Sequence, residues 1–199
     1  MPSSLPVPRP AVPASAVPAA PEWPLVTERL RLRPVALADA EAFLGWRSRA
    51  EVVRFMYQPP WDLPTAQAKL STWSTAPFEE VGDVLVLAIE ADGGVVGEAM
   101  LKWAAGARQA ELGYALHPDV SGRGLATEAA RATLELAFTT YGFHRVFARI
   151  DEENAASVRV AERLGMRPEA HLLENDQRDG VWSNEVVYAL LDREHTGLA

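Results

Sequence analysis

V-S-G-R-G-L-A-T-E-A-A, residues 120–130, decides how this chain is read. It follows a strand-like run, Glu111–Leu116, and opens a helix. In that helix Ala126, Ala129, Ala130, Leu134, Ala137, Phe138 and Tyr141 recur near the 3.6-residue period, and Gly142 stands as terminator. A strand that turns through glycines into a helix start is an anion site, because the first N–H groups of the helix lack intrahelical partners and carry the positive end of its dipole. Gly122 and Gly124 let the backbone approach a ligand closely, and Arg123 adds a cation beside them. A pyrophosphate suits the stretch. Taken alone, the loop also reads as a glycine turn that merely caps a helix. It lacks the lysine–serine/threonine ending of a P-loop, and its spacing is not G-x-G-x-x-G, so a nucleotide triphosphatase and a Rossmann dehydrogenase are disfavoured.

Outward from the loop the chain alternates strand and helix signals. Val84–Glu90 and Val95–Trp103 are apolar runs joined by A-D-G-G, a hairpin signal. Leu30 and Leu32 alternate with Arg29, Arg31 and Arg33 as a strand, and Asp39 opens an amphipathic stretch carrying Ala42, Phe43 and Trp46. Pro59, Pro60 and Pro64 break the chain around Trp61, before a further helix over residues 65–74. After the central helix come Arg145–Asp151 as a strand, Asn154–Leu164 as a helix ending at Gly165, and Glu185–Leu191 as a last strand. The pattern is a mixed α/β sheet with helices packed on it.

Composition sets the limits. With 199 residues, 48% hydrophobic and 23% charged, the chain has material for one full-sized core. Residues 1–24, rich in proline and alanine, read as a disordered tail, residues 25–194 as the domain, and 195–199 as a C-terminal tail. The formal charge of −8 argues against general nucleic-acid binding and is compatible with a cationic substrate. There is no cysteine, and the four histidines show no zinc spacing, so no metal site is expected. No apolar run spans a bilayer and the N-terminus does not read as a secretory signal, which leads to the expectation of a cytoplasmic protein.

A second segment carries chemistry. In D-E-E-N-A-A-S, residues 151–157, Asn154 is a good N-cap and Ser157 lies on the same side of the first turn, so two polar groups face one spot. Simple capping accounts for the same residues. Two neighbouring strand ends, each followed by a helix start, then present a phosphate cradle and a polar pair to one crevice.

From Leu25 to Glu194 the chain resembles the GNAT superfamily of acetyl-CoA-dependent N-acetyltransferases, in the branch related to the ribosomal-protein N-terminal acetyltransferases (RimJ/RimL-like). T-E-R-L-R-L-R-P at 27–34, E-L-G-Y-A-L-H-P at 111–118, G-R-G-L-A-T-E-A at 122–129, H-R-V-F-A-R-I-D at 144–151, N-A-A-S at 154–157, R-L-G-M-R at 163–167 and V-V-Y-A-L-L at 186–191 stand in that family's order. The resemblance implies an α/β (α+β) GNAT fold. Its central sheet is mixed but mostly antiparallel and flanked by helices, and it splays between the fourth and fifth strands counted here, 111–116 and 145–151. Acetyl-CoA would lie in the gap as cosubstrate. On that reading the backbone of Leu116 pairs with the pantetheine arm, and the amides of Gly122, Arg123, Gly124, Leu125, Ala126 and Thr127 hold the pyrophosphate. Asn154 bonds the pantetheine and Ser157 sits near the thioester sulfur. Ser121 stands where the family often has Gln or Arg, which removes a side-chain contact and leaves the main-chain cradle.

The expected reaction is direct attack of a neutral amine on the thioester, with Ser157 at the departing thiolate and Tyr114 as a lesser candidate. The base is sought among Glu174 and Asp176, which with Asp179 belong to the segment expected to close over the acceptor, and among Glu98 and Glu111. The acceptor is a peptide N-terminus or a small amine such as an aminoglycoside or polyamine. A homodimer is left open. A non-catalytic acyl-CoA-binding module and an interaction protein that keeps only the fold are the rivals of other classes.

Overall fold

Val84–Ala91 carries no polar side chain until Glu90, and its residues divide by parity: Val86 and Ala88 enter one buried cluster, Leu87 and Ile89 another. A strand apolar on both faces belongs at the centre of a sheet covered on both sides. The computed structural model, which describes residues 21–178 and 180–195, places it there. Most of the expected N-terminal tail, Asp179 and residues 196–199 lie outside the described residues.

The strands are β1 (Leu25–Val26), β2 (Arg31–Pro34), β3 (Val84–Ala91), β4 (Gly94–Ala104), β5 (Gln109–Leu116), β6 (Arg145–Asp151), β7 (Arg167–Arg178) and β8 (Val181–Leu191). They form one eight-stranded sheet in the order β1-β2-β3-β4-β5-β6-β8-β7. Its neighbours are antiparallel except for β5 and β6, which run parallel. The helices are α1 (Ala40–Arg47), α2 (Ala50–Val53), α3 (Leu63–Trp73), α4 (Leu125–Glu135) and α5 (Ala155–Arg163).

Helices α1 and α3 cover one face, where Phe43, Trp46, Trp61 and Leu70 pack on Val86, Ala88 and Ala115. Helices α4 and α5 cover the other, where Leu125, Ala129, Leu134 and Val160 pack on Leu87, Ile89, Leu101 and Leu112. Phe43 and Trp46 are fully buried with ring centroids 4.7 Å apart, and each such side chain stabilises the fold by about 2–3 kcal/mol. Trp23 also packs against the α4 face, so packed chain begins before Leu25.

Local signals have local causes. The β3–β4 turn places Asp92 and Gly93 at φ +51° and +84°, the pair of left-handed residues that a two-residue hairpin requires. Helix α4 continues as one π-helical turn, Leu136–Thr140, and Gly142 ends it at φ +61°.

The segment holding Glu174 and Asp176, where no strand is expected, forms part of β7, and the last strand begins at Val181 rather than Glu185. Register explains the miss. Leu172 faces Glu185 and Asp176 faces Ser183, so three residues of β7 oppose Asn184 alone, and Glu174 takes φ +48° within that bulge. The bulge cancels the apolar–polar alternation by which a strand is recognised.

Candidate active site

Strands β5 and β6 pair only through Gln109–Arg145, Ala110–Val146 and Glu111–Phe147, then diverge. Because β6 begins paired to β8 along its whole length and β5 to β4, the gap opens between two otherwise complete halves of the sheet. It forms a cleft of about 650 Å³ that passes through the sheet. Parity of β5 sorts its walls: Tyr114 and Leu116 pack toward α4 and α5, and Ala115 toward α1 and α3.

On the α4 side lies the glycine turn. Gly122 and Gly124 adopt φ +78° and +79°, a left-handed conformation that side chains with a Cβ resist. Glu128 N–H makes the first bond of α4, to the Gly124 carbonyl, which leaves the N–H groups of Leu125, Ala126 and Thr127 without helical partners. The pyrophosphate of acetyl-CoA fits this arrangement on two observations. A Cβ at Gly122 would meet nothing within 4 Å, so there is open space against the turn, and the Thr127 Oγ1 is buried with no hydrogen-bond partner. Ser121, Ala126 and Leu116 line the cleft, whereas the Leu125 side chain is in the core. Arg123 does not stand beside the helix start as a free cation. Its Nη2 donates to Asp92 Oδ2 at 3.0 Å, on the β3–β4 turn.

The turn is held from outside. Arg29 donates to the Arg123 carbonyl at 2.8 Å and to Glu128 Oε2 at 2.7 Å, while Thr27 Oγ1 donates to Glu128 Oε1 at 2.6 Å. Burial opposes ionisation of Glu128, but the Thr27 and Arg29 donors outweigh it and hold its carboxyl below the ordinary range.

Beyond β6, Asn154 caps α5 by accepting from Ser157 N–H at 3.1 Å. Asn154 and Ser157 both line the cleft. Tyr114 reaches across and donates to the Ser157 carbonyl at 3.1 Å, and burial pushes its phenol up to about 12, so it stays protonated at neutral pH. The structure thus joins the two groups that the sequence offered separately.

The carboxylates divide. Asp176 lines the cleft; Glu174, two residues earlier, is exposed and is not part of its wall. In an unbroken strand both would share a face, and the bulge between them is what separates them. Glu98 and Glu111 also line the cleft. Glu98 is 3% exposed, accepts from Trp46 Nε1 at 3.1 Å, and pairs with Arg47 Nε at 2.6 Å. It is committed to that pair.

Several residues of the cleft carried no sequence signal. Arg149 on β6 forms an ion pair with buried Glu185 on β8, which also accepts from Asn175, and the Glu185 carboxylate raises the Arg149 guanidinium further. A single acid heading the apolar run V-V-Y-A-L-L was the one hint at Glu185. Tyr57, from the segment after α2, donates to Asp151 Oδ2 at 2.8 Å.

Residues 29–167 match the family described as acetyltransferase (GNAT) domain, so the chain belongs to the GNAT acetyltransferase family. It is therefore an N-acetyltransferase by family, and the family uses acetyl-CoA as acyl donor. The uncharacterized N-acetyltransferase p20 of Bacillus licheniformis is 27% identical over 177 residues, 87% of this chain and 98% of that protein. The spermidine N(1)-acetyltransferase of Escherichia coli K12 is 23% identical over 167 residues, 83% of this chain and 88% of that protein. Among solved structures, a GNAT-family acetyltransferase from Bacillus anthracis superposes with a TM-score of 0.77 at 27% identity, covering 84% of this chain and 97% of that one. Mycobacterium smegmatis RimJ in complex with CoA-disulfide gives 0.71 at 26% identity, covering 83% of each chain. No helix of the described residues is long and apolar enough to cross a membrane, and no group of side chains among them would hold a metal ion.

Proposed function

We propose that acetyl-CoA lies in the gap between β5 and β6 and that the acceptor is a cationic primary amine, a peptide N-terminus first among them, as in the RimJ/RimL-like branch. The observation that carries this is the divergence of the two strands after Glu111, with the glycine turn and the α4 start at one end of the gap. The unpaired edge of β5 up to Leu116 offers backbone groups to the pantetheine amides. The N–H groups of Gly122 through Thr127 hold the pyrophosphate. The cosubstrate supplies an acetyl group already activated as a thioester. Asn154 orients the pantetheine arm with the part of its amide that the cap leaves free.

Asp176 draws the ammonium into the cleft and takes its proton, directly or through water. Glu174, facing outward, has no part in that step on this reading. The Ser157 hydroxyl donates to negative charge as it develops on sulfur, and the Tyr114 phenol holds the first turn of α5 through the Ser157 carbonyl. A cytoplasmic location, where acetyl-CoA is at hand, belongs to the same reading.

A polyamine is the second reading. The E. coli relative is named for spermidine, and a Vibrio cholerae spermidine N-acetyltransferase solved with CoA and spermine shares the fold at 18% identity and a TM-score of 0.73. Release of CoA thiol on mixing acetyl-CoA with peptides of varied first residue, and separately with spermidine and an aminoglycoside, decides between them. Acetylation of the small amines alone would remove the N-terminal reading, and no thiol release with any amine would leave an acyl-CoA-binding module.

A further inference from the structure

Arg47, the last residue of α1, is 9% exposed and borders the cleft together with its partner Glu98. Its guanidinium is held on three sides. Cζ lies 4.5 Å from the centroid of the Trp61 ring, Nη1 donates to Met56 Sδ at 3.0 Å, and Glu98 Oε1 stands 2.6 Å from Nε. That carboxylate oxygen is out of line with the Nε–H, and the buried donor is left without a hydrogen-bond partner. Nη2 donates to nothing among the described residues. An arginine carries five N–H donors, and buried polar groups in folded proteins find partners, so a buried guanidinium that uses so few donors awaits an acceptor atom from outside the chain.

The position of the pair says which molecule brings that atom. Glu98 is the register partner of Ala115 and accepts from Trp46, so both charges lie on the face of the sheet covered by α1 and α3. The start of α4 lies on the opposite face. With the pyrophosphate of acetyl-CoA at α4, the α1–α3 face is left to the amine acceptor. Glu98 already balances the charge of Arg47, so the open donor suits a neutral oxygen better than a second carboxylate. A polyamine has only ammonium and methylene groups and offers no oxygen. The first carbonyl of a peptide, one carbon removed from its terminal amine, does.

We propose that Arg47 Nη2 binds the carbonyl oxygen of an α-amino amide, so that the cleft selects acceptors in which a neutral carbonyl adjoins the amine. This rests on the reading of the cleft as the acetyl-CoA site. Glu98 and Trp61 then serve as the fixture of the donor, one by charge and one by stacking, and hold it rigid before the acceptor arrives.

Arg47→Lys tests it, because the charge beside Glu98 stays and Nη2 goes. Alaninamide and isopropylamine are the probes, the second being the first with a methyl group in place of the carboxamide; spermidine and free alanine are run beside them. The ratio of kcat/KM for alaninamide to that for isopropylamine, taken in the variant and divided by the same ratio in the unaltered protein, cancels the intrinsic reactivity of the two amines. That quotient should be about one tenth or less, with acetyl-CoA Kd by calorimetry within about twofold. If Arg47→Lys fails to fold, Arg47→Met combined with Glu98→Gln removes both buried charges and carries the same readings. A quotient near one in a folded variant overturns the proposal, whether both amines keep their rates or lose them equally. So does a matching loss of acetyl-CoA affinity, which would mark Arg47 as general support. If neither variant folds, the unaltered protein decides, and a preference for alaninamide over isopropylamine of less than about tenfold overturns the proposal. Free alanine should be a poorer acceptor than alaninamide, and the reverse order overturns the choice of a neutral carbonyl. Acetyl-CoA binding with turnover of spermidine alone overturns this inference and leaves the reading of the cleft standing, whereas absence of acetyl-CoA binding overturns both.

Discussion

The guanidinium of Arg29 donates to the backbone carbonyl of Arg123 at 2.8 Å, across 94 residues of sequence. The turn that precedes α4 is therefore braced by the β1–β2 connection as well as by its own glycines. Arg29 is about half exposed and Glu128 largely buried, and with one partner in water such a pair adds on the order of 1 kcal/mol to folding. Arg29→Ala should leave the melting temperature nearly unchanged yet weaken acetyl-CoA binding roughly five- to tenfold, about 1–1.4 kcal/mol, by loosening the aim of the N–H groups. Calorimetry beside a thermal melt checks this, and equal affinity would show that the glycine turn holds its own shape.

Gly122 and Gly124 differ in what surrounds them. A Cβ at Gly122 meets open space, and one at Gly124 comes 3.6 Å from Arg29 Nη2. Gly122→Ala should cost only the left-handed strain, roughly 1 kcal/mol of stability. Gly124→Val, β-branched at the helix start, should cost more and reduce acetyl-CoA affinity at least tenfold. A folded Gly124→Val protein with unaltered affinity would place the pyrophosphate elsewhere.

Ser157 and Tyr114 act late if they act on the thiolate. Ser157→Ala is expected to lower kcat ten- to a hundredfold with acetyl-CoA Kd changed less than threefold, and Tyr114→Phe to lower it by less. Asn154→Ala should show the opposite balance, a binding loss above all, together with about 1 kcal/mol of lost helix capping. Full turnover in the serine variant would reduce Ser157 to a residue of the first helical turn.

The bulge in β7 makes opposite forecasts for two neighbouring acids. Asp176→Asn should lower amine turnover at least tenfold, while Glu174→Gln should leave it within about twofold. The reverse outcome would mean that the hairpin refolds when the acceptor arrives.

Acid stability follows from Asp39. Burial raises its tendency to hold a proton, but two hydrogen bonds from Arg33, each 2.8 Å, and one from Ala36 N–H bring its carboxyl below the ordinary value of 3.8. A folded-state value below the unfolded one means stability that is present above the unfolded value and lost as pH falls through the folded one. Denaturation midpoints should therefore be flat near neutrality and fall below about pH 4. Asp39→Asn should lower stability at pH 7 by on the order of 2 kcal/mol and flatten part of the acid limb. An unchanged acid limb would assign it to Glu128 and Glu169, also held below the usual range.

Short-range chemistry was legible in the sequence. The D-G turn, the glycines around Arg123, the helix period after Leu125 and the Asn154 cap each lie within a few residues, and the structure repeats them. Long-range partners were not. Nothing near Arg123 announces Asp92, and nothing in T-E-R announces Glu128 a hundred residues on. Strand β7 was hidden for a different reason, because E-N-D at 174–176 is a polar run whose bulge removes the period-two signal. Tyr57 and Arg149 matter only through the neighbours that folding brings to them.

Three backbone pairs between β5 and β6 are all that join the two halves of the sheet edge to edge. The seam is a spine with two leaves, and helices α4 and α5 meet across it, where Arg131 of α4 donates to the carbonyl of Arg163 at the end of α5. Substitutions along that spine would register first as altered ligand grip, with the melting curve little moved. A change at such a surface contact is then expected to alter the width of the gap without touching a residue that meets either substrate.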